Sequence, residues 1–465
     1  LILPRKKANN EGKRLSMKID KRFSTFPKGG VHPKEFKLTA NRPIEFLVPP
    51  QTVTIPVSQH FGAPAKPIVK VGDKVKIGQV IAEANGFIST NIHATVSGTI
   101  LKIEKCMDVS GYKRLSIIIN SEGEEWLPGI DLSRNLKTDI VLTGPEIIKK
   151  VQQDGLAGLG GATFPLHVKL SPPKGKKADI LLINGVECEP YLTADHRLML
   201  EKGLEIMVGI KILMKALNVG KALIGIEANK ADAIDHLSKL AKDFHNIDII
   251  PLIVKYPQGA EKQLVEAMIG RQVPIGGLPI DVGCVVQNVG TAFAVYESIQ
   301  KNKPLIERVV TVAGDSLKRS SNFLVRLGTP ISYLIEIAGG LPEDTGKIIS
   351  GGPMMGKALN TPEVPVVKGT SGILVLPQSF AKRDPVLPCI RCARCVAYCP
   401  LGLEPYLLMN YVEKAMYDEA DQEEVMNCCE CGSCAYVCPA KRPLLDSIRL
   451  GKSFIAQQRK EKAKT

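Results

Sequence analysis

Two stretches decide how this chain is read: Cys-Ile-Arg-Cys-Ala-Arg-Cys-Val-Ala-Tyr-Cys-Pro at residues 389–400 and Cys-Cys-Glu-Cys-Gly-Ser-Cys-Ala-Tyr-Val-Cys-Pro at residues 428–439. Both reduce to Cys-x2-Cys-x2-Cys-x3-Cys-Pro, through Cys389, Cys392, Cys395 and Cys399 and again through Cys428, Cys431, Cys434 and Cys438. Two-residue gaps let one loop wrap three thiolates around a common centre. The x3 step throws the fourth thiolate to the far side, and the proline keeps the chain from folding back. Eight of the twelve cysteines fall in these blocks, while Cys106, Cys188, Cys284 and Cys429 fit no regular spacing. Cys429 is separated from Cys431 by a single residue, so only Cys428 repeats the gap of the first block. Cys429 is therefore expected to be a small buried side chain and not a ligand. The N-terminal stretch has no apolar h-region of a secretory signal, and in such a chain regular cysteines favour metal over disulfides.

Zinc is the simplest metal to weigh, but its ribbons use paired knuckles separated by a spacer. The doubled triplet with a fourth Cys-Pro resembles the two-cluster bacterial ferredoxins. That resemblance implies two 4Fe–4S clusters and ligands shared crosswise, the fourth cysteine of each run binding the other cluster. One cluster then takes Cys389, Cys392, Cys395 and Cys438, and the other Cys399, Cys428, Cys431 and Cys434. Such clusters transfer single electrons.

Outward from this segment, the chain has 465 residues, enough for about three domains. Apolar residues at 44% and charged residues at 23% are ordinary for a globular protein. No apolar run reaches about 18 residues, so no transmembrane helix is expected; residues 204–226 are interrupted by Lys211, Lys215 and Lys221. The net charge of +14 concentrates near the ends, at Arg5, Lys6, Lys7, Lys13 and Arg14 and from Arg459 to Lys464. It reads either as a solvated surface or as attraction to an acidic protein or anionic lipid. Nucleic acid is not expected, because no nucleic-acid module follows the basic N-terminal segment.

Residues 1–44 read as an extended arm rich in Pro, Gly and Lys. Residues 45–125 alternate short apolar runs with turns at Gly72, Gly78, Gly86 and Gly98, the pattern of a small β domain. It resembles the barrel-sandwich hybrid of biotinyl and lipoyl carriers. The carrier lysine is missing, with Asn91, Ile92, His93 and Ala94 in that region, which implies a structural or docking module. Residues 135–285 alternate strands with amphipathic helices, indicating a Rossmann-like α/β domain with a mostly parallel sheet. Strands are expected over 179–184, 222–226 and 247–254. Helices are expected over 193–217, from an N-cap at Asn229 to Phe244, and from Gln258. Residues 286–376 suggest a β-grasp-like domain, residues 377–450 the helical cluster domain, and residues 451–465 a basic tail.

Four stretches of the α/β domain carry chemistry. They are the glycine-rich loop at 155–165 followed by Lys169, the run Asn184-Gly185-Val186-Glu187-Cys188-Glu189-Pro190, then Tyr256-Pro257-Gln258-Gly259-Ala260-Glu261, and Gln287-Asn288-Val289-Gly290-Thr291. Glycines let backbone N–H groups approach a phosphate, and a nearby lysine adds charge. The loop is neither a Walker motif nor G-x-G-x-x-G, and by itself it reads as readily as a tight turn. Glu187 and Glu189 read either as acid/base carboxylates or as ordinary charges at a helix start.

Taken in order, the four stretches resemble the flavin-binding, NADH-oxidising subunit of respiratory complex I. Together with Gly-Gly-Val-His-Pro at 29–33, the lysine-free barrel and the doubled cysteine motif, residues 26–449 are similar to the RnfC family of the Rnf (Rsx) electron transport complex. The resemblance implies a peripheral subunit on the cytoplasmic side of the cell membrane. Its complex would couple electron transfer between ferredoxin and NAD to Na+ or H+ translocation, with integral membrane and ferredoxin-type subunits as partners. It also implies NAD(H) and noncovalent FMN, with Gly158, Gly160, Gly161 and Lys169 at the FMN phosphate. Phe164, Asn184, Glu187, Tyr256, Gly259, Glu261, Asn288 and Thr291 would surround flavin and nicotinamide, and no protein group is required as a catalyst. A flavin suits this position because it takes two electrons from NADH and passes them on singly. The chain departs from the complex I pattern at Thr163 and His167, which stand for glycines, and at Ala260, which stands for a glutamate. Lys169 is followed by Leu-Ser-Pro-Pro instead of aromatics, leaving Phe164 as the retained aromatic.

Two other functions fit parts of the pattern. The flavin subunit of a soluble NAD-dependent hydrogenase or formate dehydrogenase shares the α/β motifs, but usually carries a single three-plus-one cysteine set. A non-catalytic adaptor would pair the barrel with a zinc module.

Overall fold

A computed structural model describes residues 23–462. The basic residues expected in an arm at Arg5–Lys7, Lys13 and Arg14, and Lys464 at the other end, lie outside the described residues.

The barrel is built on period-two alternation. In the strand Thr52–Pro56, Val53 and Ile55 are fully buried while Thr52 and Thr54 are half-buried. This strand pairs antiparallel with Lys113–Ser121, which pairs with Gly98–Met107, and a second sheet joins Lys66–Pro67, Val80–Glu83 and Ile92–His93. Gly98 is required where these strands pack: a Cβ there would sit 1.8 Å from the Asn120 carbonyl oxygen, at a φ of +149°. Ile92 and His93 are buried, and their neighbours are tied to the α/β domain. Thr90 Oγ1 donates to the Gln152 carbonyl at 3.0 Å and Asn91 Nδ2 to that of Gln153 at 3.1 Å.

The α/β domain holds a four-stranded parallel sheet in the order Ile247–Leu252, Ala222–Glu227, Ile180–Asn184, Cys284–Asn288. A strand buried on both faces reads as a continuous apolar run, as Leu181, Leu182 and Ile183 show. The expected helix over 193–217 is two helices, Ala194–Glu201 and Gly203–Leu217. Lys202 leaves helical geometry, and Gly203 lets the second helix lie against His236, whose Nε2 would be 2.7 Å from an added Cβ. Asn229 is not the N-cap of the next helix: Ala231–Ala241 is preceded by Lys230, and Asn229 Nδ2 instead donates to Glu35. The helix expected from Gln258 starts at Glu261, because residues 256–260 form a turn closed by the Ala260 N–H on the Pro257 carbonyl. Helix Val289–Lys301 packs on Gly203–Leu217, so the α/β unit continues past residue 285.

The third unit is a six-stranded mixed sheet ordered Ile44–Phe46, Ser321–Arg326, Glu307–Ala313, Gly372–Pro377, Thr345–Ser350, Lys357–Ala358, with helix Ile331–Ile337 against it. Its edge strand Ile44–Phe46 comes from the N-terminal segment. That segment's other described residues, from 23 onward, are docked: Phe26 and Val31 are buried, Val31 bridges Tyr256, and the Gly30 N–H bonds the Tyr398 carbonyl. In the cluster domain, residues 451–462 are not a free tail. They belong to the helix Leu444–Lys462, in which Gly451 packs against Val412 and Ile455 is buried. Among the described residues no helix is long and apolar enough to cross a membrane.

Candidate functional site

The glycine-rich loop leaves the helix Gly144–Gln153 and is pinned at its base. The Gly158 N–H bonds the Phe164 carbonyl at 2.9 Å, and the Leu159 N–H bonds Thr291 Oγ1 at 3.0 Å. Thr291 is fully buried, so its hydroxyl sets the loop on the start of helix Val289–Lys301. Between these anchors the chain is open. Gly160 and Gly161 are exposed, and no acceptor among the described residues takes their N–H groups. A Cβ on Gly161 would meet nothing within 4 Å, whereas one on Gly160 would lie 3.3 Å from the Asn288 Cβ. A cradle with two free backbone donors fits a phosphate-bearing flavin.

Lys169 stands on the short helix Leu166–Lys169 and spans to the facing elements. Its Nζ is 2.8 Å from Glu261 Oε1 and 2.8 Å from the Val286 carbonyl. Asn184, at the carboxyl end of its strand, donates to the Gly259 carbonyl at 2.8 Å and accepts the Val186 N–H. Asn288 caps its own helix through Gly290 and donates to the Asn184 carbonyl and to Asp195 Oδ2. Lys169, Asn184, Gly259, Glu261, Asn288 and Gly160 thus meet at the carboxyl ends of adjacent parallel strands, where ligands bind in open α/β sheets. Gln287 adds a buried Nε2 without a partner on the same strand as Asn288.

Two expected residues face elsewhere. The Glu187 carboxylate accepts the N–H groups of Asp195 and His196, and so caps the helix Ala194–Glu201. Tyr256 is buried and points to the cluster domain: its hydroxyl donates to the Cys431 carbonyl at 2.8 Å and lies 3.4 Å from Glu189 Oε1. Phe164 stacks on Phe61 of the barrel, ring centroids 5.5 Å apart.

Lys37 and Asp195 were given no role by sequence reasoning, and Glu189 was left open between an acid/base carboxylate and a charge at a helix start. Glu189 accepts the N–H groups of Met354 and Met355, clamping the 352–356 loop of the third unit beside the cluster domain, and burial pushes its carboxyl up to about 7. Lys37, from the docked N-terminal segment, donates to the carbonyls of Glu187, Glu189 and Leu192. Burial and the neighbouring Glu187 push the Asp195 carboxyl up. The only local signal was the Glu-Cys-Glu run itself, since these partners are distant in sequence.

The two cysteine runs meet in space. Cys399, Cys428, Cys431 and Cys434 wall one small cavity with Leu401, Leu403 and Ile448. Cys395 lies beside Cys438 and Cys392, and Cys389 and Cys392 are exposed. Cys399 therefore sits with the second run's triplet, and Cys438 packs beside Cys395. Cys429 also lines the first cavity, beside Cys428 and Cys431. Cys429 is half-buried, in an apolar cluster with Val31 and Tyr256.

Comparison with known proteins follows the same division. Residues 25–124 match the RnfC barrel sandwich hybrid domain, 151–297 the Nuo51 FMN-binding domain, 309–358 the SLBB domain, and 381–439 a 4Fe-4S dicluster domain. The chain is 47% identical over 441 residues to the C-subunit of the proton-translocating ferredoxin:NAD(+) oxidoreductase complex of Clostridium ljungdahlii, covering 94% of this chain and 96% of that one. It is 45% identical over 436 residues to the Na(+)-translocating counterpart of Acetobacterium woodii, covering 93% and 98%. With the C-subunit of the ion-translocating oxidoreductase complex of Rhodobacter capsulatus it shares 40% over 442 residues, covering 94% and 84%.

Proposed function

This chain belongs to the RnfC family, the C-subunits of ion-translocating ferredoxin:NAD(+) oxidoreductase complexes, and from that premise we propose how its own residues carry electrons. It is the FMN- and iron–sulfur-bearing electron-transfer subunit of such a complex, with NAD(H) as substrate and other subunits as partners. The 4Fe-4S dicluster domain and the near-full-length relatives favour this reading over the soluble hydrogenase and the zinc adaptor.

Bound FMN supplies the exchange between hydride and single-electron chemistry. The free N–H groups of Gly160 and Gly161, with Lys169, would hold its phosphate on the loop that Gly158 anchors. Asn184, Gly259, Glu261, Asn288, Thr291 and Phe164 line the flavin and nicotinamide region, and Glu187 acts only through the helix it caps. Tyr256 closes the side facing the clusters. Its hydrogen bond to the Cys431 carbonyl is the observation that carries this proposal, because it joins the flavin-side turn to a cluster loop through one buried side chain. The set Cys399, Cys428, Cys431 and Cys434 is then the cluster next to the flavin. The set Cys389, Cys392, Cys395 and Cys438, with two exposed cysteines, is the outlet to a partner.

The subunit is peripheral, and we place it on the cytoplasmic face of the cell membrane, held by integral partners. The basic surface adds attraction to anionic lipid, about 1 kcal/mol per basic residue near the surface. Rapid reduction by NADH of the anaerobically purified holoprotein tests the assignment.

A further inference from the structure

The barrel does more than brace the α/β domain. It presents two phenylalanines at the edge of the glycine-rich loop and leaves both in solvent: Phe61 is 56% exposed and Phe87 64% exposed, with Ile88 beside them at 39%. Single exposed apolar residues need no explanation, but a contiguous group at the rim of a site does. These rings are also held in place. The Phe61 N–H bonds the Thr163 carbonyl at 3.1 Å, and the Phe61 ring stacks on Phe164. The Phe87 carbonyl meets His167 Nε2 at 2.8 Å, and the His167 ring stands edge-on to Phe87 at 5.8 Å.

The two barrel loops are locked to each other as well. Gly62 passes so close that an added Cβ would lie 2.1 Å from the Ile88 carbonyl oxygen, and the Ala63 N–H bonds that same oxygen. Ser89 donates to the Ala63 carbonyl from the other side. His167 faces the barrel while Lys169, two residues on, faces Glu261. The open glycines therefore lie between a charged end and an aromatic end, both preorganised.

We infer that Phe61, braced by Phe164, and Phe87 form a base-stacking platform for the purine half of NAD(H), so that the barrel supplies part of the dinucleotide site. This rests on the NADH/FMN reading above. A purine presents a flat π-face to such rings, and stacking of one base on an aromatic side chain changes affinity roughly ten- to hundred-fold. The site is then bipartite: the α/β domain takes the nicotinamide end and the barrel the adenine end.

The test uses the full holoprotein and three probes: NADH, ADP-ribose, and reduced nicotinamide mononucleotide, which lacks the adenosine. Binding of ADP-ribose is measured by calorimetry, and reduction by the two nicotinamides by flavin bleaching. Phe61→Ala with Phe87→Ala should weaken NADH and ADP-ribose about ten-fold or more, leaving the mononucleotide and the FMN content unchanged. Phe61→Tyr with Phe87→Tyr, which keeps the π-faces, should restore both. Equal losses for NADH and the mononucleotide, or no loss for either, overturn this inference alone. So does a double variant that binds nucleotide normally but fails to assemble with its membrane partners, which would make the patch a protein-docking face. Wild-type protein that holds FMN but binds neither NADH nor ADP-ribose overturns the functional reading along with it.

Discussion

Replacing Lys169 with alanine separates a phosphate ligand from a structural lysine. In the structure Lys169 is paired with Glu261, the two side chains being 27% and 40% exposed. An ion pair this open contributes ~0–1 kcal/mol. Lys169→Ala should therefore lower the melting temperature only slightly. A charge-assisted hydrogen bond to a phosphate is worth more, ~1.5–3 kcal/mol. At about 1.4 kcal/mol per factor of ten, FMN affinity should fall roughly ten- to more than a hundred-fold. The assay is titration of flavin-free protein with FMN, followed by fluorescence quenching, with iron content and melting temperature measured on the same sample. Gly160→Val is the companion variant: its side chain grows toward Asn288, 3.3 Å from the first added carbon, and should also lose flavin while keeping both clusters. FMN affinity within about two-fold of wild type in Lys169→Ala, set against the loss expected for a charged hydrogen bond, would refute the phosphate assignment.

The cysteine register gives a second expectation: Cys429→Ser keeps both clusters, Cys428→Ser damages the cluster of Cys399, Cys431 and Cys434, and Cys438→Ser the other. Iron counts and EPR of the three variants check it, and loss of a cluster in Cys429→Ser overturns the register. Acid stability gives a third. Burial, with Lys368 and Lys150 nearby, lowers His93 from 6.5 to about 3. Between those values the unfolded chain binds the proton and the folded one does not, so stability present above about pH 6.5 is lost as pH falls. From pH 7 to 5 this amounts to about 2 kcal/mol, and His93→Gln should remove about that much of the acid dependence in denaturant titrations. An unchanged slope would mean that His93 is not held neutral in the fold.

How much of this was legible in the sequence depended on how local the cause was. The two cysteine runs follow from spacing, because one loop places three cysteines and a proline follows the fourth. The crosswise ligand sharing we propose is what the ferredoxin pattern implies. The parallel sheet was legible in runs such as Leu181, Leu182 and Ile183, whose burial on both faces leaves a purely apolar signature. The break at Lys202 was not, because the reason for Gly203 is His236, thirty-three residues away in a different helix. Nor was the docking of the N-terminal segment, whose Phe26 and Val31 sit in a Pro- and Gly-rich stretch with no periodicity to show that they are buried.

The site divided in the same way. Motif order grouped Lys169, Asn184, Glu261 and Asn288, and they are neighbours at the sheet's edge. Tyr256 also belongs to a motif, yet its hydroxyl serves a cluster loop 175 residues further on. Phe61 and Phe87 lie in the barrel with nothing in the local pattern to connect them with the glycine-rich loop. Contacts made across domains leave no trace in periodicity or spacing.

The most direct measurement is anaerobic stopped-flow mixing of the holoprotein with NADH, following flavin and cluster absorbance together and repeating it on FMN-depleted protein. In the holoprotein the flavin should bleach first and the clusters after it, and in the depleted protein the clusters should stay oxidised. Clusters reduced by NADH equally fast without FMN, or flavin that stays oxidised under excess NADH, would contradict the assignment of this chain as the link between NADH and the clusters.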